Sequence, residues 1–340
     1  MEKKFREGDF IESRQGLIFD VKGLVHPPDR VIAFIRYYPS KPGERFAGSR
    51  VYEKVYSLSV RYEWLREYFP EYLVYDPVFD EVLCEVPVSH IIKHYMPVEV
   101  LRRLRKARSQ DVLERMIVEM ACLLKSSASI PWNTIGASGS IMVGLHTPNS
   151  DIDLVVYGSK NCWEVYHAIK SLSTEPSCPL KPYSPEDLRR LFDFRSKDTA
   201  VSFEDFVKTE SRKVLQGKFG ERDYFIRFVK DFNEISERYG DVQYKNCGYA
   251  KIEAAVADDS ESIFTPCTYK IEDVKVIEGP KLQPIEEIVS FRGRFCEQAR
   301  KNEKIIAQGK IEKVVDYRKG VEYFRLLIGN KPSDYMILKI

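Results

Sequence analysis

The stretch GASGSIMVGLHTPNSDIDLVVYG, residues 136–158, decides how the rest of the chain is read. Its second half alternates like a half-buried strand, so Asp151 and Asp153 share one face while Ile152, Leu154 and Val156 line the other. The two aspartate Cα atoms are expected roughly 6.5–7 Å apart. Carboxylates held side by side repel each other unless a cation lies between them, and hard oxygen donors of this kind suit Mg²⁺ that also contacts substrate phosphates. Upstream, Gly139 lets backbone pass close to a ligand, and Ser140 offers an anion its hydroxyl and the free N–H groups of a short helix. One element suits a phosphate chain and the other the metal that neutralises it. Together they describe a nucleoside triphosphate with its divalent ions.

Outward from this stretch, the spacing predicts strand, Gly-Ser turn, short helix (SIMVGL), turn (HTPNS) and strand. Two helices are expected before it: PVEVLRRLRKA, and SQDVLERMIVEMACLLKSSA with Ser109 and Asp111 as a start signal. After it come the helical segments CWEVYHAIKSL, SPEDLRRLFDF and SFEDFVKTESRKVL, then the strand DYFIRFV. Ser184 and Pro185 form an N-terminal cap and first turn. Residues 10–94 alternate like strands around one helix, LSVRYEWLREYF. GYAKIEAAVAD is a further strand, and four more follow it, with a hairpin at RKG.

With 340 residues the chain has room for two or three cores, and 44% hydrophobic with 31% charged residues describes a globular protein. No apolar run reaches the roughly 20 residues of a membrane span. The polar start MEKKFREGDF lacks a secretory pattern, and seven scattered cysteines without a C-x-x-C pair read as reduced thiols, so a cytoplasmic setting is expected. The net charge of +2 excludes an obvious polyanion binder, although residues 281–340 carry 13 Lys/Arg against 8 Asp/Glu.

The arrangement Gly139-Ser140, Gly144 and Ser150-Asp151-Ile152-Asp153 resembles the signature of the DNA polymerase beta-like nucleotidyltransferase superfamily. The wider chain is similar to an archaeal group of predicted nucleotidyltransferases. The resemblance implies an α/β core with two Mg²⁺ ions on Asp151, Asp153 and a third carboxylate on a neighbouring strand, with Gly139, Ser140 and Gly144 at the nucleotide. With the strand and helix patterns on either side, the whole chain is expected to be α+β in three parts: an α+β accessory domain over residues 1–96, the nucleotidyltransferase core over 97–272, and a small β-barrel over 273–340 that is a candidate for binding RNA. Glu253, in the strand AKIEAAVAD, is the first choice for that carboxylate, and Asp223, just before YFIRFV, the second. Ile141-Met142-Val143 departs from the small or basic residues usual in the family, so the phosphate grip must use backbone amides or cations elsewhere. Arg227, a charge inside an apolar strand, is the favoured nucleotide-binding cation. Arg189, Arg190, Arg212, Lys213 and Lys218 are further candidates.

The expected reaction is transfer of an NMP from an NTP to an acceptor hydroxyl, with RNA as acceptor. The alternatives are transfer to a small molecule or protein side chain, and a nucleotide- or RNA-binding protein without turnover. His90 and His94 have the spacing of helical zinc ligands without a third ligand nearby, and Arg102 to Arg108 read as the wet face of a helix. Phe291, Phe295, Tyr317, Tyr323 and Phe324 interleave with Arg and Lys, a pattern that serves either base stacking or a barrel core.

Overall fold

The computed structural model describes residues 4–55, 57–196 and 200–339. The chain divides into two compact units, residues 1–74, 83–181 and 214–236 in the first, and 75–82, 182–213 and 237–340 in the second. The sequence boundaries near 96 and 272 do not coincide with this division, which counts the N-terminal region and the 136–158 stretch in one unit.

The first unit opens with β1 (Phe10–Ser13), β2 (Ile18–Val21), β3 (Arg30–Pro39), β4 (Arg45–Ala47) and β5 (Arg50–Lys54), followed by α1 (Leu58–Tyr68). A hairpin of β6 (Leu73–Asp76) and β7 (Glu81–Pro87) leads to β8 (Ile91–Tyr95); the hairpin's tip, residues 75–82, counts with the second unit. The strands run β4-β5-β3-β2-β1-β8, with β7 also on β3. One face is apolar: Phe19, Val21, Val31, Ala33 and Ile35 pack with Leu65 of α1 and with Tyr72. The opposite face carries Asp20 and Lys22, because alternate residues of β2 point away from that core.

The same unit continues through α2 (Pro97–Lys106), α3 (Val112–Ser127), β9 (Ile135–Ala137), α4 (Gly139–Met142), β10 (Ile152–Tyr157), α5 (Ser159–Leu172), β11 (Leu180–Lys181), β12 (Gln216–Phe219) and β13 (Arg222–Val229). Asp111 caps α3 in a reciprocal box with Glu114, so the helix starts where its capping residues require. The sheet order is β11-β12-β13-β10-β9, with β10 and β13 parallel and the remaining pairs antiparallel. Ile152, Leu154 and Val156 are fully buried on one face of β10, and α3 and α5 lie against this strand. On its other face Val155 and Tyr157 pack with Val229, Leu24 and Val98, while the aspartates occupy the strand's beginning.

The second unit contains α6 (Pro185–Arg195), α7 (Phe203–Glu210) and the strands β14 (Val242–Asp258), β15 (Cys267–Glu278), β16 (Ile285–Ser290), β17 (Lys304–Asp316), β18 (Val321–Leu327) and β19 (Tyr335–Leu338). Ser184 and Asp187 form the expected capping box of α6, with Pro185 in the first turn. Pairings run β14-β15-β16-β18-β17 and return from β17 to β14, with β19 also on β17. This corrects one expectation about the core. The strand containing Glu253 belongs to this sheet and not to the sheet of Asp151, because an alternating sequence fixes a strand but not its neighbours.

Candidate functional site

The candidate site is built on the first turns of β10 and β13. In-register pairing of Ile152 with Tyr224 and Asp153 with Phe225 places Asp151 level with Asp223 on the neighbouring parallel strand. Gly139 adopts φ +68°, and a Cβ built there would overlap the Asp153 carboxylate, so only glycine allows the turn and the acid to meet. The Ser138 amide donates to the Asp153 carbonyl at 2.9 Å, fixing the turn against the strand. Ser140 is buried in the first turn of α4. Gly144 has φ +70° with open space around it, and it serves the reversal after α4.

Among the described residues, neither the Asp151 nor the Asp153 carboxylate accepts a hydrogen bond, which is costly for charged groups in a crowded site. Burial, then repulsion from Asp153 and Asp223, pushes Asp151 up to about 6. Asp151 is nevertheless exposed to solvent and does not lie inside the core. Burial also raises Asp153, against the pull of Lys54, Arg227 and Arg36 and with added repulsion from Asp20. The cations respond in the opposite sense. Burial and the neighbouring Arg36 and Arg45 hold Lys54 down to about 7, although Asp153 and Asp151 favour its charge.

Four of these groups, Asp20, Arg36, Arg45 and Lys54, come from the N-terminal sheet. Arg45 of β4 donates to the Leu145 carbonyl at 2.6 Å, tying the β4–β5 hairpin to the loop that follows α4. Ser138 donates to the Gly8 carbonyl at 3.1 Å. Below the aspartates a buried network is fully paired. Arg227 reaches Glu7 at 2.6 Å and Asp20 at 3.4 Å, and Lys22 reaches the same two acids at 2.9 Å each. Against the upward push of burial, Lys22, Arg227 and Arg36 hold Asp20 at about 2. Arg6 stacks on the Tyr157 ring at 3.4 Å and pairs with Asp231 at 2.8 Å.

The chain is 32% identical to the uncharacterized protein MJ1086 of Methanocaldococcus jannaschii over 345 residues, an alignment covering 96% of each chain. It belongs to the MJ1086 family. No family model matches the chain, and no solved structure does.

In this member of the MJ1086 family, Asp151, Asp153, Gly139 and Ser140 lie in one sheet and its adjoining turn, together with Asp223, the second choice for the third carboxylate. Glu253 does not join them. Lys339 ion-pairs with it at 2.5 Å and lowers its carboxyl, and its register partners Ile306 and Lys275 belong to the C-terminal sheet. Arg227, expected at the nucleotide, is engaged by Glu7 and Asp20, which explains how a charge is tolerated in an apolar strand.

The remaining basic candidates have protein partners. Arg190 pairs with Asp187, Arg212 with Glu303, Lys213 with Glu210 and Lys218 with Asp223, while Arg189 stacks on Phe203. His90 ends a 3-10 turn (Val88–His90) and His94 lies within β8, so the two share no α-helix. His90 meets Arg14 and Tyr72, and His94 bonds Asp9 at 2.9 Å, so the zinc spacing is coincidental. Phe295 is core and Tyr323 bonds Glu287, whereas Tyr317 is exposed.

No three His, Cys, Asp or Glu side chains among the described residues converge as a complete metal-binding group. Among the described residues, two carboxylates accept no hydrogen bond, with Asp223 beside them on Lys218. This donor set fits Mg²⁺, an ion commonly held by one or two carboxylates plus substrate phosphates and water. Sequence reasoning missed Asp20, Arg36 and Lys54. The available signal for Asp20 and Arg36 was charge placed inside the otherwise apolar strands IFDV and RVIAFIRYY, whereas Lys54, in the polar strand RVYEK, gave none.

Proposed function

We propose that this protein is a metal-dependent nucleotidyltransferase that moves an NMP from an NTP to an acceptor hydroxyl, with RNA as the acceptor. The observation that carries the reading is the meeting of Gly139 with the Asp153 carboxylate, beside a second carboxylate that likewise accepts no hydrogen bond among the described residues. Asp151 and Asp153 would hold Mg²⁺, which when bound would supply charge neutralisation at the phosphates and activation of the attacking hydroxyl. Asp151 and Asp153 orient that charge from one face of β10. Asp223, level with Asp151, is our assignment for the third carboxylate in place of Glu253. Asp223 ion-pairs with Lys218 at 2.8 Å, so a metal bound there would have to compete with that cation. The Gly139-Ser140 turn admits the phosphate chain close to backbone. The buried Arg227 network holds the N-terminal sheet's charges in register with β13 and excludes water from below the acids.

The ring of strand pairings in the second unit supports the small-barrel reading, and the exposed Tyr317 beside Arg318 and Lys319 favours a nucleic-acid surface there. The test is incubation with α-labelled NTPs, Mg²⁺ and either total RNA or cell extract. Label on RNA with pyrophosphate release, abolished by Asp153→Asn, is the expected result. Label on a protein or a small molecule redirects the acceptor, and absence of pyrophosphate release with every acceptor refutes the transferase.

A further inference from the structure

The pairing of β2 with β3 contains one irregularity, and it lies at the site. Phe19 pairs with Ile35 but Ile18 pairs with Tyr37, so β3 has one residue more than its partner, and that residue is Arg36. A bulge of this kind re-aims the side chains beyond it. Before the bulge, Phe34 opposes Asp20 and shares its face; after it, Tyr37 takes that face opposite Ile18, and Lys54 pairs with Tyr37 across β5. Arg36 and Lys54 both lie near enough to Asp153 to act on its charge. Arg36 is half-buried, yet its guanidinium makes no hydrogen bond or ion pair among the described residues, unlike the paired Arg227 and Arg212. A half-buried five-donor fork near these aspartates, with no hydrogen-bond or ion-pair partner among the described residues, is placed for a ligand with several acceptor oxygens.

We propose that Arg36 and Lys54, delivered by the β2–β3 bulge, bind the phosphate chain of the nucleotide and replace the basic residues that Ile141-Met142-Val143 does not supply. This inference rests on the nucleotidyltransferase reading, and it assigns to the N-terminal sheet the cationic half of a site whose acidic half is on β10. Arg45, bonded to the Leu145 carbonyl, fixes the hairpin that carries Lys54 over the turn.

The test is calorimetric titration of the full chain, in Mg²⁺, with a non-hydrolysable NTP analogue, inorganic tripolyphosphate and the corresponding NMP. Variants are Arg36→Ala, Arg36→Lys, Lys54→Gln and Asp153→Asn, each checked by thermal unfolding. Arg36→Ala and Lys54→Gln are expected to weaken the analogue and tripolyphosphate about tenfold or more, with NMP affinity changed less than about twofold and Arg36→Lys recovering part of the loss. Analogue binding lost by Asp153→Asn but untouched by Arg36→Ala, Arg36→Lys and Lys54→Gln would overturn the inference and leave the transferase standing. Equal losses for NMP and triphosphate would also overturn it, since the two cations would then support structure and not the phosphate chain. A wild-type protein that binds none of the three ligands would overturn both. Should Arg36→Ala fail to fold, Lys54→Gln and Arg36→Lys decide the matter on the same readout.

Discussion

Two charge clusters, one in each unit, contain the same kinds of side chain and behave in opposite ways. In the second unit Glu312 pairs with Lys310 at 2.7 Å and with Arg325 at 2.8 Å, Lys310 also meets Glu81, and Arg325 stacks on Tyr244 at 3.8 Å. Burial opposes ionisation there, but Arg325 and Lys310 overcome it and lower Glu312, while Glu312 and Glu81 overcome it and raise Lys310. In the first unit burial wins: Asp151 and Asp153 are raised and Lys54 is lowered. A network that stabilises its own charges is complete without a ligand. Asp151, Asp153 and Lys54, which resist ionisation beside the paired Arg227–Asp20 network, are candidates for binding something that supplies the missing charge.

Four substitutions sharpen or break this contrast, taken from the largest expected effect to the smallest. Asp153→Asn is expected to cut pyrophosphate release by about a hundredfold or more, because a site that works by charge placement loses a principal contact; release assays against time measure it, and retention of activity would dissolve the contrast. Glu312→Gln is expected to cost about 3–5 kcal/mol, leaving Lys310 and Arg325 buried with an incomplete partner. Chemical denaturation reads that loss, and nucleotide affinity should be unchanged.

Asp151→Asn, measured in chelator, should move stability the other way. The Asp151 carboxyl is ordinary when unfolded, near 3.8, and stands at about 6 when folded, so folding favours its protonated form. Stability therefore falls as pH rises between those values, and the amide removes a penalty that is absent below pH 3.8 and complete above about 6. With solvent screening of an open side chain the gain is about 1 kcal/mol or less. Denaturant midpoints for wild type and variant should converge in acid and separate at neutral pH; a destabilised Asp151→Asn at pH 7 would place Asp151 with the satisfied acids. Glu253→Gln, the smallest, should leave pyrophosphate release and the unfolding midpoint unchanged within error, because its partner Lys339 is an exposed, screened contact.

How much of this was legible in the sequence follows from which interactions are local. The β9–turn–α4–β10 sequence and the caps of α3 and α6 depend on neighbouring residues, and the Gly, Ser, Pro and Asp positions announce them. β14 was legible as a strand, but its partners β15 and β17 are a long-range choice, and for that reason Glu253 was assigned to the wrong sheet. Arg227's need for a partner was legible from its apolar surroundings; that the partners are Glu7 and Asp20, some 200 positions earlier, was not. The roles of Arg36 and Lys54 were hidden for a similar reason, since a bulge belongs to a pairing and not to either strand alone.

The central claim is that Asp151 and Asp153 hold a divalent cation together with a phosphate chain. Mn²⁺ binding followed by electron paramagnetic resonance, with and without a non-hydrolysable NTP, tests it most directly. The account predicts weak Mn²⁺ binding alone, strong binding once the triphosphate is present, and loss of that gain in Asp151→Asn and Asp153→Asn. Mn²⁺ affinity that is indifferent to the triphosphate, or equal in wild type and both variants, would contradict it.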